Sequence, residues 1–217
     1  SRVGIPFLLT ADINDPKALS WIASLKPDII FCFGWSRLIN NELLAVPPMG
    51  IIGFHPTSLP SNRGRHPLIW ALVLGLAETS STFFFMDEGA DTGDILSQKV
   101  VRIDSNDDAS TLYKKVTKVA LQQICAFVPM LEQRTYRRIP QNHTLANTWR
   151  KRRHSDGVID WRMSANSIHN LVRALSRPYV GAEFLYKGSV VKVWKSSVVD
   201  CGFANVEPGK VIAIHKG

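Results

Sequence analysis

Apolar and polar positions along the chain fall into short runs that alternate between the period of a strand and that of a helix. Ile5 to Leu9 is a short apolar run that predicts a strand. Asp15 and Pro16 then open a helix running to about Leu25, with the cap and first-turn proline in their preferred places. After Lys26-Pro27, Asp28 to Phe33 is almost continuously apolar, the pattern of a strand covered on both faces. Gly34 to Ile39 predicts a strand-to-helix crossing with Ser36 as N-cap, and Pro47-Pro48 stops the short helix that follows. Gly50 to Phe54 predicts a third buried strand, ended by His55-Pro56, and Thr57 to His66 reads as a turn-rich loop. Pro67 to Leu76 predicts a helix closing at Gly75.

Thr79 to Met86 is a further strand, Asp87 to Asp94 a turn with two glycines, and Ile95 to Ile103 alternates as a sheet-edge strand does. A long amphipathic helix covers about Ala109 to Gln133, with Leu112, Val116, Val119, Ala120, Ile124, Val128 and Leu131 on one stripe. Strands and helices taking turns in this way predict an α/β layer with a parallel or mixed, doubly wound sheet. From Arg134 to Gly157 the periodicity stops and the chain turns polar and basic. Arg150 to His154 there is read as a solvated charge run, with phosphate contact as the other reading. Ile159-Asp160-Trp161, a helix from about Ala165 to Leu175, and β-rich stretches at Glu183 to Val199 (hinged at Lys187-Gly188) and Val211 to His215 predict a small second module. The expected division is a first domain over 1–133, a basic linker over 134–157 and a small, incomplete β-rich module over 158–217.

Composition narrows the class. With 217 residues, 45% hydrophobic and 20% charged, the chain can bury one sizeable core with a small appended module. No apolar run is long enough to cross a bilayer and no signal-peptide order is seen, so the cytoplasm is the expected location, without membrane contact. Cys32, Cys125 and Cys201 are far apart and odd in number, which indicates neither a disulfide framework nor a metal site; Cys32 and Cys125 are expected in the core. A net charge of +8 suits nucleic acid, a phosphorylated metabolite or a polyglutamyl cofactor, and equally a surface that only keeps the protein dissolved. The chain begins at Ser1 without an initiator Met, and we expect it to be a fragment.

Candidate chemistry gathers between Gly53 and Asp94. His55 and Asp91 each stand just past a buried strand, at the sheet edge where α/β proteins build their sites. A histidine suits proton transfer because its ordinary pKa lies near the working pH, and a neighbouring carboxylate favours the protonated ring. Taken alone, a strand-end histidine held by backbone bonds and an aspartate that only closes a turn explain the same pattern.

The spaced motifs are more specific than any one residue. His55-Pro56, Ser58-Leu59-Pro60, Arg63-Gly64-Arg65 with Pro67 and Trp70, and Met86 to Asp94 (MDEGADTGD) resemble the formyltransferases that use 10-formyltetrahydrofolate. Ile159-Asp160-Trp161, His169 to Ala174, Pro178, Gly181-Ala182 and Val191 to Trp194 resemble the linker and C-terminal start of the methionyl-tRNA and nucleotide-sugar branches. The resemblance implies a Rossmann-like formyltransferase domain, without its first βαβ elements because Val3-Gly4-Ile5-Pro6 aligns inside the usual domain, followed by the start of an OB-like module.

The same resemblance implies formyl transfer to the primary amine of a nucleotide-linked amino sugar, with methionyl-tRNA formylation and a catalytically impaired folate-binding protein as the alternatives. It gives His55 and Asp91 the catalytic roles, and places Arg65, Arg37-Leu38-Ile39 and Asp87-Glu88-Gly89-Ala90-Asp91 around the folate. Lipopolysaccharide biosynthesis is the implied setting, and a homodimer the implied assembly. One position departs: Gly53 stands where the family usually has an oxyanion-holding Asn, a donor whose loss costs about 3 to 4 kcal/mol of transition-state stabilisation. Asn62 and Thr57, in the following loop, are the candidate substitutes.

Overall fold

The computed structural model describes residues 4–200, 202 and 205–214. In chain order its elements are α1 (Pro16–Ser24), β1 (Ile30–Cys32), α2 (Asn41–Leu44), β2 (Ile51–His55), β3 (Arg63–Gly64), α3 (Pro67–Val73) and β4 (Glu78–Phe85). There follow β5 (Ile95–Arg102), α4 (Ala109–Glu132), β6 (Thr148–Trp149), α5 (Ala165–Ala174), β7 (Ala182–Tyr186) and β8 (Ser189–Val193). Two compact units emerge. The first takes the chain up to Gly64 with Ser80–Val100 and Val119–Thr148; the second takes Arg65–Thr79, Val101–Lys118 and the chain from Trp149 onward.

The main sheet has the order β1-β2-β4-β5, with β1 parallel to β2 and β2 antiparallel to β4. It is therefore mixed. Ile51 and Ile52 on β2 are both fully buried yet face opposite ways, as successive strand residues must. Ile51 packs with Ile39 and Leu43, joined by Leu19 and Ile22 of α1. Ile52 packs with Phe83, Phe85, Phe127 and Leu131, the last two from α4. Helices thus cover both faces of β2, which makes it the spine of the first unit and puts His55 at its carboxyl end.

Several local expectations change. Ile5 to Leu9 forms no strand, and Phe7 and Leu9 are exposed; an apolar run does not by itself supply the hydrogen-bond partners that a strand needs. Only Ile30–Cys32 of the 28–33 run pairs, as an edge strand, so Phe31 and Phe33 are exposed rather than covered on both faces. The cap of α2 is Asn40, whose side chain accepts from Leu43 N, and not Ser36. On α4 the fully buried line passes through Gln123 and Phe127, while Ile124 and Val128 pack half-buried against the same core. Gln123 is admitted because its amide donates to Ser81 O and Ser97 Oγ. Cys125, half a turn away from that line, is exposed and is not a core residue; Cys32 is half-buried and packs against the Ile39, Leu43 and Ile51 cluster, and Cys201 lies outside the described residues.

In the second unit α3 packs on α5, and β7 and β8 form the hairpin expected around Lys187-Gly188. Arg150 to His154 is not simply solvated. The Arg152 guanidinium is 9% exposed and lies 4.7 Å from the Trp70 ring centre, while Arg150 forms a two-pronged pair with Asp156. Residues 211–214 carry no regular structure, and His215, the end of the last expected β stretch, lies outside the described residues. No helix among the described residues is long and apolar enough to cross a membrane.

Candidate active site

His55 closes β2 opposite Thr82 of β4, and Asp91 lies in the turn between β4 and β5, which leaves β4 beside the start of β2 and returns to the histidine. The imidazole is 5% exposed. Its Nε2 lies 2.9 Å from the Asn62 carbonyl and its Nδ1 lies 3.6 Å from Asp91 Oδ2. A carbonyl oxygen only accepts, so Nε2 carries the hydrogen and the bare nitrogen of a neutral ring is Nδ1, on the Asp91 edge. A second proton at Nδ1 would face a carboxylate. The 3.6 Å gap is longer than a hydrogen bond. Free sites often hold their acid–base groups at such distances and tighten around substrate.

Asp91 is held in a left-handed backbone conformation, φ +60°, which costs an Asp on the order of 1 kcal/mol and persists only where its surroundings insist. They do. Gly64 N donates to Asp91 Oδ2 at 2.8 Å, and Gln141 Nε2 donates to the carbonyls of Asp91 at 3.0 Å and Gly93 at 2.6 Å. The Gln141 oxygen accepts from Arg63 Nη2 at 2.6 Å, and both side chains are buried. Sequence reading missed this cluster. Gln141 sits in the aperiodic connector, and only the pairing of β3 with β6 brings that connector to the loop after His55.

Thr57 and Asn62, the candidates for the oxyanion position, are both tied into the loop by hydrogen bonds. Thr57 is fully buried and its hydroxyl donates to Ser61 O. Asn62 is clasped by Asn147, which accepts from Asn62 N through Oδ1 and donates from Nδ2 to Asn62 Oδ1. Gly53 has no room for a side chain: a Cβ there would lie 2.9 Å from both Met86 Cγ and Phe84 Cζ. Phe84 is its cross-strand partner, 2% exposed and packed with Leu59 and Ile95. The aromatic ring occupies the place of the missing substituent.

Most of the residues expected at the folate are more exposed than His55. Arg37 and Leu38 are exposed and Ile39 is buried; the turn they make is held by Asn14, which donates to Leu38 O and accepts from Asn40 N. Asp87, Glu88 and Ala90 are exposed, and Asp87 Oδ1 accepts from Gly89 N and from the Thr92 hydroxyl. Gly89 has no positive φ. It serves close approach instead, since a Cβ would meet Thr92 Oγ1 at 2.1 Å. Arg65 belongs to the second unit, where its N–H donates to Trp149 O. There burial, followed by the charges of Arg65, Arg152 and Lys151, pushes the His66 imidazole below its ordinary pKa.

Comparison with known proteins points the same way. A family model described as formyl transferase matches residues 9–128, and one described as formyl transferase, C-terminal domain, matches residues 151–217. A methionyl-tRNA formyltransferase from Clostridium thermocellum is similar at 21% identity and TM-score 0.72, over 88% of this chain and 80% of that one. A 4-N formyltransferase from Francisella tularensis is similar at 24% identity and TM-score 0.69, over 79% of this chain and 72% of that one. Both likenesses speak to fold. A third is to a formyltransferase from Anoxybacillus kamchatkensis in complex with UDP-4,6-dideoxy-4-formamido-L-AltNAc and tetrahydrofolate, at 25% identity and TM-score 0.52, over 57% of this chain and 64% of that one.

Proposed function

Because this chain belongs to the formyl transferase family, we propose that its acceptor is the primary amine of a nucleotide-linked amino sugar. The protein is a formyltransferase and its formyl donor is 10-formyltetrahydrofolate. The reading of the acceptor is supported by the relative whose bound molecules are a formamido-sugar nucleotide and tetrahydrofolate. A net charge of +8 suits the diphosphate of such a substrate.

The observation that carries the chemistry is the buried His55 ring with its Nδ1 facing the Asp91 carboxylate. In this reading the acceptor nitrogen attacks the formyl carbon, giving a tetrahedral intermediate. His55 Nδ1 takes the proton that the amine loses, and Asp91 stabilises the resulting imidazolium. The bond from the formyl carbon to N10 of the folate then breaks as His55 returns the proton to that nitrogen. Arg37, Leu38, Ile39, Arg65 and the Asp87–Asp91 turn are assigned to folate binding.

Gly53 favours a second reading, a folate-binding protein with impaired chemistry, because Phe84 and Met86 fill the space where a side-chain donor would reach. One assay separates the readings. The protein is incubated with 10-formyltetrahydrofolate and, in turn, amino-sugar nucleotides and charged initiator tRNA, and release of tetrahydrofolate is followed. Turnover with an amino-sugar nucleotide supports the proposal, turnover with tRNA alone replaces the acceptor, and folate binding without turnover leaves the second reading.

A further inference from the structure

We propose that Gln141, oriented by Arg63, is a positioning residue for formyl transfer, holding Asp91 against the Nδ1 edge of His55. This rests on the reading of His55 and Asp91 as the proton-handling pair.

Gln141 is 6% exposed and commits all of its polar groups. Its Nε2 reaches the carbonyls of Asp91 and Gly93, and its Oε1 accepts from Arg63. The amide therefore grips the turn on its backbone side, at the residue that supplies the carboxylate and again two residues later. An amide has two ends of nearly equal shape, and something must decide which faces the carbonyls. Arg63 does so. A guanidinium has donors and no acceptor, so the amide oxygen must face it and the NH2 group must face the turn.

Arg63 itself is unusual as a structural residue. It is 7% exposed, takes part in no ion pair among the described residues, and its Nε has no partner. Its remaining side-chain contact is the donation from Nη2 to His143 Nδ1 at 3.1 Å. A buried cation whose best partner is a neutral amide is expensive to keep for packing alone. The next residue, Gly64, donates its N–H to the Asp91 carboxylate. The two residues of β3 thus hold Asp91 from both ends, through its carboxylate directly and through its backbone by way of Gln141. Removing Gln141 frees the turn to leave its left-handed conformation, and the carboxylate moves away from His55.

The test is steady-state and single-turnover kinetics of the full chain with 10-formyltetrahydrofolate and whichever acceptor supports turnover. Gln141→Leu removes all three hydrogen bonds. Gln141→Glu keeps the volume and an acceptor for Arg63 but removes the donors to the turn. Each is expected to lower kcat by about 10- to 100-fold, with KM for the folate within about twofold. In an Asp91→Asn background the same changes are expected to shrink to within about threefold, because residues acting through one group are not additive. A Gln141 effect of equal size in both backgrounds overturns the proposal, as do Gln141 variants with wild-type kcat.

Arg63→Met is expected to lower kcat in the same direction while leaving Gln141 in place, with Arg63→Lys recovering part of the loss. Wild-type kcat in Arg63→Met overturns the share given to Arg63. If His55→Ala and Asp91→Asn keep full turnover, the pair assignment falls. If those two lose activity and the Gln141 variants do not, the pair stands and this inference falls.

Discussion

The surroundings of His55, proposed for catalysis, and the residues proposed to bind folate are built on opposite terms. Close to His55, Thr57, Arg63 and Gln141 are each under 9% exposed and make side-chain hydrogen bonds. Among the residues proposed for folate, Arg37 is exposed, Leu38 is 58% exposed, and Asp87 and Glu88 stand in solvent. The difference follows from the work proposed for each. Proton transfer needs two groups held to fractions of an ångström. Binding a flat, polar ring can be done by turns whose backbone groups are set by local hydrogen bonds, such as those of Asn14 and Asp87. Substitutions around His55 should therefore act on kcat and on stability, and those at the proposed folate residues on KM.

The sharpest way to break this contrast is His55→Ala. Loss of a general acid–base residue lowers turnover by about 10²- to 10⁴-fold, and folate affinity, followed by fluorescence titration, should stay within a few fold. A large fall in affinity would place His55 with the folate-binding residues.

Next comes Gly53→Asn. Pushing a side chain against Phe84 and Met86 should destabilise by about 1 to 3 kcal/mol in urea unfolding. A stable variant with faster turnover would mean that the ring yields easily.

The second unit offers the same contrast between two carboxylates. Asp107 is 4% exposed and accepts from Asp104 N, the Thr111 hydroxyl and Lys115. Burial alone would raise its pKa, but those hydrogen bonds outweigh it and hold the carboxyl below its usual value. A depressed folded-state pKa contributes stability above the ordinary carboxylate value, and that stability is lost as pH falls through the folded value. Asp107→Asn should cost about 1 to 3 kcal/mol at neutral pH and flatten the acid limb of a stability profile. Exposed Asp160, which its hydrogen bonds from Arg162 bring down to about 2, should leave melting unchanged when replaced by Asn.

Arg37→Ala is likewise expected to have a small effect. Its pairing with Asp12 is exposed and 3.8 Å long, so stability should move by under about 0.5 kcal/mol, leaving any change to KM for the folate.

What was legible in the sequence follows the same division. β2, β4, α3 and α4 announced themselves because each buries a run or stripe long enough to show its period, and His55 could be placed because it ends such a run. Composition and spacing alone left a turn-closing aspartate as good an account of Asp91 as a catalytic one. The motif order resolved that in favour of a family, and the family model matches residues 9–128. Gln141 and Asn147 were invisible. Their partners lie 48 to 85 residues away, and the strand pair that brings them home is two residues long on each side. Ile5 to Leu9 misled for the converse reason, since an apolar run states a preference for burial and not that a partner is there to provide it.

The ring of Phe84 lying over Gly53 also constrains how this lineage can change. An amide introduced at position 53 competes for volume with its neighbour across the ladder, and a smaller residue placed at 84 or 86 beforehand leaves a void in a packed layer. Either order of substitution therefore passes through a weaker protein.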